Sequence, residues 1–214
     1  MMKRFPLFLL ICLLLFSFGC SQNEGSELSP EVPGLEKYTY TESEAPTDYV
    51  KFEMTTGAMF IIKLRPDVAP ITVDNFKKLV GEHFYDGIIV HRVEPSLLMQ
   101  TGDPDGDGYS NPEIPTIKGE FALNGIPNSL SHKRGVVSMA RATNPNSASS
   151  QFFICDIDLP SLDGSYAAFG EVIDGMKTVD YLCSVKVEGS RPVTKQVIKT
   201  ARFVTVTEME STAS

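Results

Sequence analysis

From Tyr49 onward the apolar residues arrive in short runs separated by turn residues, and only two stretches space them as a helix would. A chain divided this way cannot supply the long periodic segments of a helix bundle, nor the regular strand–helix alternation of a parallel sheet. "YVKFEMTTGAMFIIKL" is two β-rich runs joined at Thr56-Gly57, a hairpin signal. "GIIVHRVE", "LLMQTGD", "GVVSMA", "SQFFICDI", "YAAFGEVI" and "QVIKTARFVTVTEM" read as further strands. In "APITVDNFKKLVGEHF", Ile71, Val73, Phe76, Leu79 and Val80 recur close to helical spacing, with Pro70 at the start and Gly81 at the end. "DGMKTVDYLCSV" predicts a second helix, with Asp174 as its N-cap. The pattern implies a mainly β fold, an antiparallel barrel or sandwich with helical plugs.

Ahead of this domain lies "MMKRFPLFLLICLLLFSFGC", a basic start, an apolar run and a small residue before cysteine, which is the layout of an export signal. The apolar stretch falls short of the roughly 20 residues that a stable span needs. Gly19-Cys20 resembles the lipobox of bacterial lipoproteins, although Ser17 stands where that box usually has leucine. The resemblance implies lipidation at Cys20 and an extracytoplasmic protein anchored by lipid to a bacterial membrane. Residues 21–47 are polar, acidic and broken by Gly and Pro, as a flexible tether would be. The folded domain is then expected over 48–209, with 210–214 a short tail.

The chain carries 19 basic and 27 acidic residues, a net charge of -8, and loss of Lys3 and Arg4 with the leader makes it -10. That balance opposes nucleic acid as a partner. Of four cysteines, Cys12 and Cys20 belong to the leader and the anchor; Cys155 and Cys183 sit in apolar patterns and read as buried thiols. Two such cysteines make no zinc site, and no metal or cofactor is expected. "DPDGDG" (103–108) begins as an EF-hand loop does, but position 12 is Ile114, not glutamate, and a strand precedes it. It reads as a solvated acidic turn, with at most weak calcium binding. His83, His91 and His132 have no Gly-x-Ser-x-Gly serine to serve, and read as satisfied structural residues. Strand alternation sends His91 and Arg92 to opposite faces.

Four segments in order, "VHRVEPSLLMQTGD", "GVVSMAR", "SSQFFICD" and "LDGSYAAFGEV", resemble the cyclophilin family of peptidyl-prolyl cis–trans isomerases over about residues 48–208. The resemblance implies an eight-stranded antiparallel barrel capped by two α-helices. It implies isomerisation of X-Pro bonds in exported or surface proteins, by a non-covalent mechanism with Arg92 as catalytic cation and Gln100 and Phe153 beside it. Leu97, Leu98, Ala140, Arg141, Gln151, Leu162 and Tyr166 fall on its substrate-binding positions. Leu97-Leu98, Ser161 and Tyr166 replace the usual Phe-Met, Trp and His, so altered sequence preference and weak cyclosporin binding are expected. A module or chaperone that grips proline-containing segments with little turnover is the alternative.

Overall fold

The computed structural model describes residues 35–208; the leader with Cys20, the tether before residue 35 and the tail 210–214 lie outside them. In chain order the elements are β1 (Tyr38–Glu42), β2 (Tyr49–Met54), β3 (Met59–Leu64), α1 (Pro70–Gly81), β4 (Arg92–Glu94), β5 (Leu98–Thr101), β6 (Val136–Met139), β7 (Phe152–Cys155), β8 (Ala168–Asp174), α2 (Met176–Ser184), β9 (Val187–Glu188), β10 (Arg191–Pro192) and β11 (Ile198–Glu208). One antiparallel sheet runs β1-β11-β2-β3-β8-β6-β7-β5-β4, and β9 pairs with β10.

Leaving β1 aside, the two ends of the remaining eight-stranded run meet. Gly87 N donates to Ile198 O (2.8 Å), Ile198 N to Ile88 O (2.9 Å) and Val90 N to Gln196 O (2.9 Å). The approach to β4 therefore pairs with the approach to β11, and eight strands close into a barrel that has no open edge between them. The ninth strand, β1, lies along Val204–Glu208, beyond the half of β11 that pairs with β2.

Strand alternation fills the barrel with rings. Phe52 and Phe60 stack at 5.1 Å, and Phe152 meets Phe52 edge-on at 5.8 Å. Phe76 of α1 enters this cluster, 5.5 Å from Phe152 and 5.0 Å from Phe169, so the helix plugs the barrel as its spacing predicts. Pro70 opens α1, where a missing N–H costs nothing. The next two donors, Ile71 N and Thr72 N, are taken by the buried Glu120 carboxylate at 3.1 and 2.8 Å. The second helix, α2, buries Val179, Leu182 and Cys183. Cys155 and Cys183 are free buried thiols, both pushed up to about 12 by burial.

Three expectations need correction. The fold begins ten residues earlier than the tether reading allows, because the Tyr-Thr alternation of residues 38–41 pairs with β11. Asp174 is not the N-cap of α2; Gly175 holds that place at φ 76°, and the Asp174 carboxylate instead takes Glu36 N, Lys37 N and Tyr38 N at 2.7–2.8 Å. A side chain on Gly175 would sit 2.2 Å from Met59 O, so glycine is required there. Finally, "GIIVHRVE" contributes only Arg92–Glu94 as strand, with a single bridge at Ile89.

Candidate active site

Register builds the site. Arg92 on β4 lies opposite Gln100 on β5, Gln100 opposite Phe153 on β7, and Phe153 opposite Ser138 on β6. Residues paired directly across strands share a face of the sheet, so these four form one transverse row. Phe152 points into the aromatic core, and Phe153, one residue on, points out to that row. Around it opens a hollow of about 270 Å³ lined by Arg92, Leu98, Gln100, Ala140, Arg141, Phe153, Leu162 and Tyr166. Phe153 is buried beneath it, with the Tyr166 ring edge-on at 5.7 Å.

The Arg92 guanidinium is held on two sides. Its Nη1 donates to Gln100 Oε1 at 3.1 Å and its Nη2 to Glu94 Oε1 at 2.8 Å. Gln100 Nε2 donates in turn to Gln151 Oε1 (2.9 Å), and Gln151 Nε2 to Tyr109 O (2.8 Å). This amide chain leads into a second hollow of about 170 Å³, which shares Gln100, Ala140 and Arg141 with the first and adds Gln151, Tyr109 and Ser147. Between the two stands Arg141, its guanidinium 4.8 Å from the Tyr166 ring centre and 5.1 Å from that of Phe121, with Nε donating to Ser165 O. A cation over aromatic faces and bonded to carbonyls is held nearly rigid.

Nine of the ten residues singled out in the folded domain line one hollow or the other. Leu97 does not. Leu98 opens β5 and takes the hollow, whereas Leu97, in the turn that precedes the strand, stays 40% exposed outside it. Glu94 escapes the motif reading, yet it lies two residues from Arg92 on the same strand face, which is a legible signal.

His132 is buried and satisfied, as a structural histidine should be. Its Nδ1 lies 2.8 Å from Asp163 Oδ1 and its Nε2 2.9 Å from Ser138 Oγ. The order Asp-His-Ser is that of a hydrolase relay, but Ser138 is fully buried and presents no nucleophile to the hollow. Burial holds the His132 imidazole below the usual histidine range, against the upward pull of Asp163. His91 is buried opposite to Arg92, as alternation requires, but it is not a satisfied residue: neither ring nitrogen has a protein partner among the described residues. Burial lowers its pKa as well, with Asp103 opposing and Arg191 and Arg92 reinforcing. In the 103–108 turn Asp103 is buried, not solvated, its carboxylate accepting from Asp105 N and Gly108 N.

A family model described as cyclophilin type peptidyl-prolyl cis–trans isomerase/CLD matches residues 49–203. A probable peptidyl-prolyl cis–trans isomerase of Brucella suis is 42% identical over 132 residues, 56% of this chain and 63% of that protein. This chain thus spans less than two thirds of the length of that relative. Peptidyl-prolyl cis–trans isomerase-like 1 of Aspergillus oryzae is 37% identical over 157 residues, covering 72% of this chain and 94% of the relative. Among solved structures, the cyclophilin type isomerase of Cryptosporidium parvum in the presence of the dipeptide Ala-Pro superposes with a TM-score of 0.64 at 30% identity, over 72% of this chain and 97% of that one.

Proposed function

Because the chain belongs to the cyclophilin-type peptidyl-prolyl cis–trans isomerase family, we propose that it accelerates rotation about X-Pro bonds, with Arg92 as the catalytic cation and no covalent step. The observation that carries this reading is the Arg92–Gln100–Phe153 row beside an open hollow with Phe153, Leu98 and Leu162 in its lining.

Amide resonance sets a barrier of about 18–20 kcal/mol to this rotation. Twisting the bond localises a lone pair on the prolyl nitrogen, and a guanidinium above it donates a hydrogen bond that the planar state cannot accept. That is binding of the transition state in preference to the ground state. A charge-assisted hydrogen bond contributes roughly 1.5–3 kcal/mol, which corresponds to about ten- to a hundredfold in rate. The proline ring must also be held while its neighbour's carbonyl swings, and Phe153, Leu98 and Leu162 form that grip. Gln100 holds the Arg92 fork, and the polar lining of the second hollow receives a flanking part of the peptide.

The substrates on this reading are proline-containing segments of exported or surface proteins, and the chain is tethered near them through lipid on Cys20. The dipeptide Ala-Pro named with the Cryptosporidium structure is a fragment of the same chemistry. The test is a cis–trans relaxation assay on a prolyl tetrapeptide with the full-length chain and its Arg92→Ala variant. Catalysed relaxation, reduced about ten- to a hundredfold in Arg92→Ala while the fold persists, is the expected result. Peptide binding without faster relaxation selects the proline-binding module instead, and wild-type turnover in Arg92→Ala removes the role assigned to the cation.

A further inference from the structure

One buried side chain touches or tethers three of the residues that line the hollow beside Arg92. The His132 imidazole stacks on Phe153 at 5.9 Å with the planes 15° apart, and meets Tyr166 edge-on at 6.5 Å. Its Nδ1 and its backbone N–H both reach Asp163 Oδ1, at 2.8 and 2.7 Å, and Asp163 directly follows Leu162 of the wall. Phe153 comes from β7, Leu162 from a short 3-10 turn and Tyr166 from the approach to β8. Covalent geometry does not set the spacing of these three.

We propose that His132 is a positioning residue for X-Pro isomerisation: braced by Asp163 and Ser138, it holds Phe153, Leu162 and Tyr166 at the separation a proline ring requires. The inference rests on the isomerase reading above. Its physical basis is that both ring nitrogens are occupied. With Nδ1–H donating to the carboxylate, Nε2 accepts from the Ser138 hydroxyl at 2.9 Å. Ser138 in turn lies directly opposite Phe153 across β6 and β7. A ring fixed at both ends, 2% exposed, presents an immobile face for Phe153 to rest on. A floor that does not move is what converts binding of the proline ring into resistance against its rotation.

The arrangement belongs to the neutral imidazole. Protonation makes Nε2 a donor, so the hydroxyl hydrogen of fully buried Ser138 loses its acceptor. Asp163 is the charged group set against the ring, Tyr166 is the titratable one on its edge, and Phe153 and Ser138 bring no charge. Gln100 and Phe153 carry no titrating group, so an acid limb in turnover that depends on residue 132 reports on its imidazole.

The experiment measures kcat and KM separately for a prolyl peptide with the full-length wild type, His132→Ala, His132→Phe and Val179→Ala. Val179 is buried in α2, away from the hollow, and its variant controls for lost stability. His132→Ala is expected to lower kcat about tenfold with KM within about twofold, at a temperature where folded Val179→Ala keeps wild-type kcat. Wild-type kcat declines only at a pH below the ordinary histidine value of about 6.5, and His132→Phe, which keeps a ring but no titrating nitrogen, loses that limb. Should His132→Ala fail to fold, His132→Phe decides the matter through its pH profile. An active wild type whose kcat is matched by folded His132→Ala, or whose acid limb survives in His132→Phe, overturns the positioning role alone. A wild type without turnover overturns it together with the isomerase reading.

Discussion

Arg92 keeps company that tunes it without burying it. Both it and Glu94 are partly exposed, at 40% and 37% of their side-chain surface, so their 2.8 Å pair is weak in water and screened by salt. Its use is orientation, since it occupies Nη2 while Gln100 occupies Nη1. Glu94→Gln is therefore expected to reduce kcat/KM only about threefold, more at low than at high ionic strength. A loss as large as that of Arg92→Ala would mean that the carboxylate itself meets the reacting bond. Arg92, Gln100, Gln151 and Phe153 were legible because each sits inside a short motif of contiguous residues. His132 was not, because its partners Ser138 and Asp163 lie 6 and 31 residues away and meet it only through folding.

Among the elements, β1 is the one the composition concealed. Its acidic, Pro-rich surroundings resemble a tether, yet Tyr40 covers Lys51, whose ammonium lies 4.4 Å from the ring centre and 2.7 Å from Glu42. Burial alone would lower the Lys51 pKa; the hydrogen bonds to Glu42 and Tyr40 outweigh it and hold the ammonium above its ordinary value. A second clasp is Asp174, which is buried and takes three backbone N–H groups from the segment entering β1. Asp174→Ala leaves those donors without their acceptor, and a destabilisation of about 3 kcal/mol is expected in urea unfolding. Residues 38–42 should lose hydrogen-exchange protection before the barrel does. A change too small to measure would show that β1 is held by its pairing with β11 alone.

At the scale of the whole molecule, two histidines sit buried and neutral, with pKa values below those of the unfolded chain. The unfolded state therefore binds more protons as pH falls through about 6.5. Stability from this source is complete above that pH and is lost progressively below it. Melting temperature is expected to fall between pH 7.5 and 5, and to fall less in His91→Phe, where one of the two protons is gone. A melting temperature that holds level or rises over this range contradicts the account. Carboxylates held low by cation partners, Asp86 by Arg202 and Glu53 by Lys199, add to the loss only nearer pH 4.

The sequence by itself determined the element types, because hydrophobic period and turn residues are local properties: short alternating runs for strands, Pro70 to Gly81 for a plugging helix, and a hairpin at Gly57. It also marked the strand motifs that carry Arg92, Gln100 and Phe153. Only the tertiary structure decided that these three stand in one row, since register is set by pairing between strands far apart in the chain. The same holds for the Asp174 clasp, the buried His91 and the His132 brace. Each depends on which distant groups are brought within hydrogen-bond reach or closed off from water, a property of the packed whole that no local pattern records.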